Sequence, residues 1–155
     1  MIEKNSLVSV PSKALAPGDL VIGSPYEQIV GLVVGDEEFT YMVALSSEDE
    51  KGLFSPRAIN KDSDFAFLVL RDWRVNIGTS KYSSKYTGDF SLGDIVLKDD
   101  NFFIATRANS ATYLYGFSGK LGNNTAGDYF FSDWTIVTGE GDDKVEIFAR
   151  HKTGI

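Results

Sequence analysis

Asp72-Trp73-Arg74-Val75 and Asp133-Trp134-Thr135-Ile136 lie 61 residues apart, hold the two tryptophans of the chain, and each reaches a glycine three residues later, Gly78 and Gly139. Upstream of them other segments recur in the same order. Gly18-Asp19-Leu20-Val21-Ile22 matches Gly93-Asp94-Ile95-Val96-Leu97 at an offset of 75, and Ile29 matches Ile104 at that offset without a gap. Phe39-Thr40-Tyr41 then aligns with Tyr113-Leu114-Tyr115, Phe54-Ser55-Pro56-Arg57 with Phe117-Ser118-Gly119-Lys120, and Asp64-Phe65-Ala66-Phe67 with Asp128-Tyr129-Phe130-Phe131. Colinear matches of this kind point to one unit present twice, the second copy the shorter.

Each copy reads as four or five short strands. Period-two segments such as Phe65, Phe67 and Val69 are separated by Gly, Asp, Asn and Ser turns. Fifteen Gly, eleven Phe, seven Tyr and two Trp suit strands joined by tight turns. No window of about a dozen residues carries an uninterrupted helical apolar period.

The expected organisation is an N-terminal arm (1–14), a first β unit (15–78), a polar linker or loop (79–92), a second, shorter β unit (93–139), and a C-terminal strand and tail (140–155). A second unit of only 47 residues, Gly93 to Gly139, is near the lower limit at which a chain buries enough surface to fold alone without disulfides or metal, so the copies are expected to pack on each other. Leu7 to Val10 and Val145 to Ala149, outside the repeat, are expected to close or cover sheet edges. The Gly-Asp-aliphatic-Val opening of each copy resembles the first strand of SH3-like small barrels. That resemblance implies an all-β fold of two tandem, pseudo-symmetric barrels packed together, or one duplicated barrel or sandwich, and no particular function.

Composition excludes several chemistries. The 155 residues include no cysteine, so thiolate catalysis, disulfides and zinc-thiolate sites are out. The formal charge of −7 opposes phosphate backbones and anionic membranes and favours a basic or neutral partner. The first residues lack a signal-peptide pattern and no apolar run is long enough for a membrane helix, so a cytoplasmic protein is expected.

Catalytic motifs fail one by one. The single histidine, His151, sits near the C-terminus, a poor place to hold a base for Ser or Thr. Gly-x-Ser-x-Gly, Ser-x-x-Lys and both common glycine-rich phosphate loops are absent. Asn60, Asp62 and Asp64 have the spacing that opens a calcium loop, but Phe65 stands at position six and Arg71 at position twelve, so a solvated acidic turn is expected. Asp142-Asp143 reads as a polar turn in the same way, and the sequon Asn123-Asn124-Thr125 matters only in a secreted chain. No catalytic residue, metal or cofactor is expected.

The candidate binding residues are Trp73 and Trp134 with Asp72 and Asp133, Tyr82 and Tyr86 in the doubled Ser-Lys-Tyr segment, and the cations Arg57 and Lys120. For the Asp-Trp pairs the favoured reading is a turn-capping carboxylate before a core tryptophan; an aromatic platform or a pair of catalytic carboxylates is the alternative. Tyr82 and Tyr86 sit in a hydrophilic linker or a contact surface. The expected function is a non-catalytic protein-interaction module that is not an enzyme and whose partner is another protein or a second copy, without nucleic acid or membrane. Alternatives are an acidic inhibitor or immunity-type protein for a basic partner, and a carbohydrate-binding or carboxylate-dependent carbohydrate-active protein.

Overall fold

The computed structural model describes residues 6–24, 28–35, 39–47, 52–77, 82–84, 91–108, 111–117, 121–122 and 129–150. These form three antiparallel sheets, none closed into a barrel, with no α-helix among the described residues. In spatial order the N-terminal sheet holds β1 (Leu7–Pro11), β6 (Ala66–Leu70), β2 (Leu20–Gly23), β3 (Ile29–Gly35), β4 (Thr40–Ser47) and β5 (Pro56–Ala58). The C-terminal sheet holds β8 (Tyr82–Ser84), β13 (Tyr129–Phe131), β9 (Ile95–Lys98), β10 (Asn101–Ala108), β11 (Ala111–Gly116) and β12 (Leu121–Gly122). The third sheet sets β14 (Trp134–Thr138) between β7 (Arg74–Ile77) and β15 (Val145–Arg150).

The two six-stranded sheets follow the same path, seven strands apart. Tyr82–Ser84, within the segment expected to be a linker, is a strand that pairs with β13 as Leu7–Pro11 pairs with β6. Leu20 lies opposite Leu32 and Leu70, while Ile95 lies opposite Ile104 and Phe131. Hydrogen-bond register therefore matches Ile104 with Leu32 and not with Ile29, because the loop after β2 is three residues longer than the Asp99-Asp100 turn after β9. The next strands correct in the same sense. Val43 faces Leu32 as Tyr115 faces Ile104, so Tyr115 corresponds to Val43 and Tyr113 to Tyr41. Pro56 pairs with Val43 and Leu121 with Tyr115, which replaces the expected match of Arg57 with Lys120 by one with Gly122. Tyr129-Phe130-Phe131 corresponds to Leu68-Val69-Leu70, at the same offset of 61 as the tryptophans.

β7 and β14, which follow the last strand of each large sheet, pair with each other. Val75 lies opposite Ile136, Arg74 opposite Val137 and Asn76 opposite Thr135. Exchanging matched residues at offset 61 maps these three pairs onto one another, so a local two-fold axis passes through the Val75 and Ile136 pair.

Strands alternate their faces, and the sheets sort apolar residues accordingly. Leu20, Leu32, Val43 and Leu70 from the N-terminal sheet meet Ile95, Ile104 and Tyr115 from the C-terminal one, with Trp134 and Ile136 from the third, in one continuous core. The opposite faces carry their own clusters: Val21, Val33 and Val69 under Leu15, and Val96, Ala105, Leu114 and Phe130. Burial on both faces explains runs such as Gly31-Leu32-Val33-Val34, which lack an apolar-polar alternation.

Candidate functional site

The Gly-Asp turns that open β2 and β9 share their hydrogen bonds one for one. The Gly18 and Gly93 N–H groups donate to the Val33 and Ala105 carbonyls at 2.8 Å, and Val33 and Ala105 return 2.9 Å bonds to the Asp19 and Asp94 carbonyls. Each Asp side chain accepts the N–H three residues back, Ala16 at 2.9 Å and Ser91 at 2.7 Å. Both glycines hold positive φ, +95° and +86°, which accounts for Gly at that place. A Cβ on Gly93 would also lie 2.7 Å from the ring of Phe54, in the turn before β5. Phe54 itself has φ 56°, and its carbonyl accepts the Arg107 N–H at 3.0 Å, which ties the loop before β5 to β10.

Asp94 carries a further partner. Arg150, at the end of β15, donates Nη1 to Asp94 Oδ1 at 2.6 Å and to the Ser132 carbonyl at 2.7 Å, and Nη2 to the Leu92 carbonyl at 2.8 Å. Asp94 is buried and the guanidinium nearly so, with the Phe54 ring 5.9 Å from its centre. A desolvated pair is tolerable because its remaining polar positions are hydrogen-bonded. The network reads as structural, fastening the last strand to the turn.

The tryptophans occupy matched positions with unequal burial. Trp134 is 1% exposed, its Nε1 donates to the Gly93 carbonyl at 2.8 Å, and its ring meets Phe148 and Phe117 at 5.1 and 6.0 Å. Trp73 is half-buried and lies 6.4 Å from the same Phe117. Trp134 thus offers no face to a ligand. Asp72 is exposed, its carbonyl accepting the Thr138 hydroxyl, and Asp133 is half-buried. Tyr82 lies in β8 opposite Phe131. Tyr86, Lys120, His151 and the sequon lie outside the described residues.

Asn60, Asp62 and Asp64 form a turn of their own. Asn60 Oδ1 accepts the Asp62 N–H at 3.0 Å, and Asp64 pairs with Lys13 at 2.6 Å on the exposed surface. Among the described residues no group of three or more His, Cys, Asp or Glu side chains is placed to hold a metal ion. The Asp142-Asp143 pair sits in a 3-10 turn, Gly141–Asp143, on the surface.

Two features were not singled out by sequence. Arg57 borders a pocket of about 340 Å³ on the outer face of the N-terminal sheet, walled by Ile29, Met42, Ala44, Phe65 and Phe67. Phe65 and Phe67 meet edge to face at 5.1 Å. The second feature is a row of large apolar side chains on the C-terminal sheet. Leu97 of β9 lies opposite Tyr129 of β13 on one side and opposite Phe102 of β10 on the other. Tyr129 is 41% and Phe102 42% exposed. By alternation this row continues the core-facing side of the sheet past the region covered by the N-terminal sheet, and its signal in sequence is the same period two that marks the core.

The chain matches no protein-family model, no curated protein and no solved structure. Among the described residues no helix is long and apolar enough to cross a membrane.

Proposed function

We propose that this chain is a non-catalytic protein-interaction module, two copies of one SH3-like β unit packed face to face, which binds a basic or neutral protein through the Tyr129, Leu97 and Phe102 row. The row carries the proposal. Three neighbouring large apolar side chains across three strands form a contiguous patch of the composition that protein interfaces favour, rich in aromatics and poor in charge. Support for the duplication comes from the shared strand path, the matched Gly-Asp turns and the two-fold ladder between β7 and β14. The −7 formal charge speeds encounter with a cationic partner, while the aromatic row supplies contact area. Acid-base chemistry has little material in the pocket, whose lining holds no Asp, Glu, His, Lys, Tyr or Cys side chain among the described residues.

Affinity capture at low salt with the whole chain as bait, run beside a Phe102→Ser/Tyr129→Ser variant of verified fold, tests this reading. A protein partner retained by the wild type and lost by the variant is expected. Equal recovery by both, or efficient turnover of a substrate by the wild type, overturns it.

A further inference from the structure

We infer that the outer edge of β7 takes up an extended segment of a partner protein, antiparallel to β7 and carrying an aromatic residue two positions before an arginine. The site uses none of the Tyr129, Leu97 and Phe102 row, and it does not rest on that row binding a protein.

The two-fold relation within the third sheet defines the place. β14 is flanked on both sides, by β7 and by β15, whereas β7 is an edge with no strand beyond it among the described residues. Exchanging β7 with β14 carries β15 onto that open edge. In β15, Phe148 lies opposite Ile136 and Arg150 opposite Trp134, so at the matched place an aromatic residue stands opposite Val75 and an arginine opposite Trp73. Exposure follows the difference. Arg74 and Asn76 of β7 are exposed, while their counterparts Thr135 and Val137 are half-buried and buried.

The groups that hold Arg150 recur without a guanidinium. Asp94 accepts the Ser91 N–H on Oδ2 and Arg150 on Oδ1; Asp19 accepts the Ala16 N–H on Oδ2, and its Oδ1 has no partner among the described residues. The other two acceptors of Arg150 are the Leu92 and Ser132 carbonyls. Pro17 precedes Gly18 as Leu92 precedes Gly93, and Arg71 follows Leu70 as Ser132 follows Phe131. Neither the Pro17 nor the Arg71 carbonyl accepts a hydrogen bond among the described residues.

The aromatic surroundings differ by one ring. Phe54 lies 5.9 Å from the Arg150 guanidinium and beside Gly93. Phe117 lies 6.4 Å from Trp73, and its carbonyl would stand 3.8 Å from a Cβ on Gly18. Trp134 has Phe148 of β15 at 5.1 Å and is 1% exposed, whereas Trp73 lacks that cover and is half-buried. An incoming aromatic residue supplies it.

Three acceptors, one of them a carboxylate, select a planar cation with several donors, and an arginine fork meets that need as Arg150 does. Main-chain pairing along an exposed strand supplies affinity, and the aromatic and arginine positions supply specificity. A segment of this kind is cationic where it meets Asp19, in keeping with the formal charge of −7.

The test is a titration of the full chain with an N-acetylated, C-amidated peptide of residues 144–150, KVEIFAR, followed in ¹H–¹⁵N spectra. Saturable shifts are expected at Gly18, Asp19, Arg74 to Ile77 and the Trp73 indole N–H. The Arg150→Gln peptide should bind about tenfold more weakly, the scale of a charge-assisted hydrogen bond, and the Phe148→Ala peptide should also lose affinity. Asp19→Asn in the chain keeps an oxygen for the Ala16 N–H; it should weaken the parent peptide about tenfold and leave the Arg150→Gln peptide unchanged. Absence of saturable shifts, shifts centred on β14 and β15, or equal affinity of the parent and Arg150→Gln peptides overturns the inference. Concentration-dependent shifts at Arg74 to Ile77 without peptide assign the edge to a second copy and overturn it as well.

Discussion

The indole Nε1 of Trp134 donates a 2.8 Å hydrogen bond to the carbonyl of Gly93, so the anchor of the third sheet is fixed to the turn that opens the C-terminal one. Around this bond the Gly-Asp turn, the end of β15 and the loop carrying Phe54 converge, and their chemistry sets the expected response to substitution.

Trp134→Ala removes a fully buried indole and leaves the Gly93 carbonyl without its donor, a loss of about 3–5 kcal/mol. Trp73→Ala, at a half-buried position, should cost about half as much. Urea midpoints of the two variants check the ranking, and acrylamide should quench Trp73 emission far more than Trp134.

Asp94 and Asp19 perform the same capping role, but only the Asp94 site is shown with a nearly buried guanidinium. Asp94→Ala leaves the nearly buried Arg150 with its carbonyl partners but without its counter-charge and should cost about 3–5 kcal/mol. Asp19→Ala should cost about 1 kcal/mol, the usual value of a capping bond. Denaturant unfolding reads both, and equal losses would contradict the assignment of Arg150 to Asp94.

The β9 to β10 hairpin turns through Asp99 and Asp100 with both φ positive, 50° and 63°. Two-residue turns of this hand favour Asn-Gly. Asp99→Asn with Asp100→Gly should therefore raise stability by about 1 kcal/mol, measured as an upward shift of the thermal midpoint.

Burial holds the Tyr115 hydroxyl above its ordinary pKa of 10.0, and the neighbouring Tyr41 and Tyr113 add to the shift. The folded state thus prefers the neutral phenol. Below pH about 10 this preference costs nothing, because the unfolded chain is neutral there too; as pH rises from that value toward the folded pKa, the unfolded state ionises first and stability falls. Tyr115→Phe should flatten the part of the alkaline stability profile due to this residue, read from urea midpoints between pH 8 and 11.

Much of the architecture was legible in the sequence, and the errors have physical causes. Turn and strand composition defined an all-β chain, and the Gly-Asp pairs stood out because a positive-φ glycine followed by a capping carboxylate is a demand of backbone geometry. Strand β8 was missed. Tyr82-Ser83-Ser84 is a short polar edge strand, and its flanking Ser and Lys residues read as a linker. In sequence Ile29 aligns with Ile104 because aliphatic residues are interchangeable in composition, and only hydrogen-bond register shows where a longer hairpin loop takes up its extra residues. The pocket and the aromatic row were invisible because Phe65, Phe67, Phe102 and Tyr129 follow the same alternation as core residues, and exposure depends on which part of a sheet its neighbour covers.

The two six-stranded sheets share one strand path, and the strands that follow them in the chain, β7 and β14, pair with each other in the third sheet across a local two-fold axis. Cross-strand nuclear Overhauser contacts in solution test it most directly: backbone contacts joining Val75 to Ile136 and Asn76 to Thr135, together with Tyr82 to Phe131 in parallel with Leu7 to Leu70, are the expected result. A shifted ladder between β7 and β14, or a Tyr82 segment unpaired with β13, would contradict it.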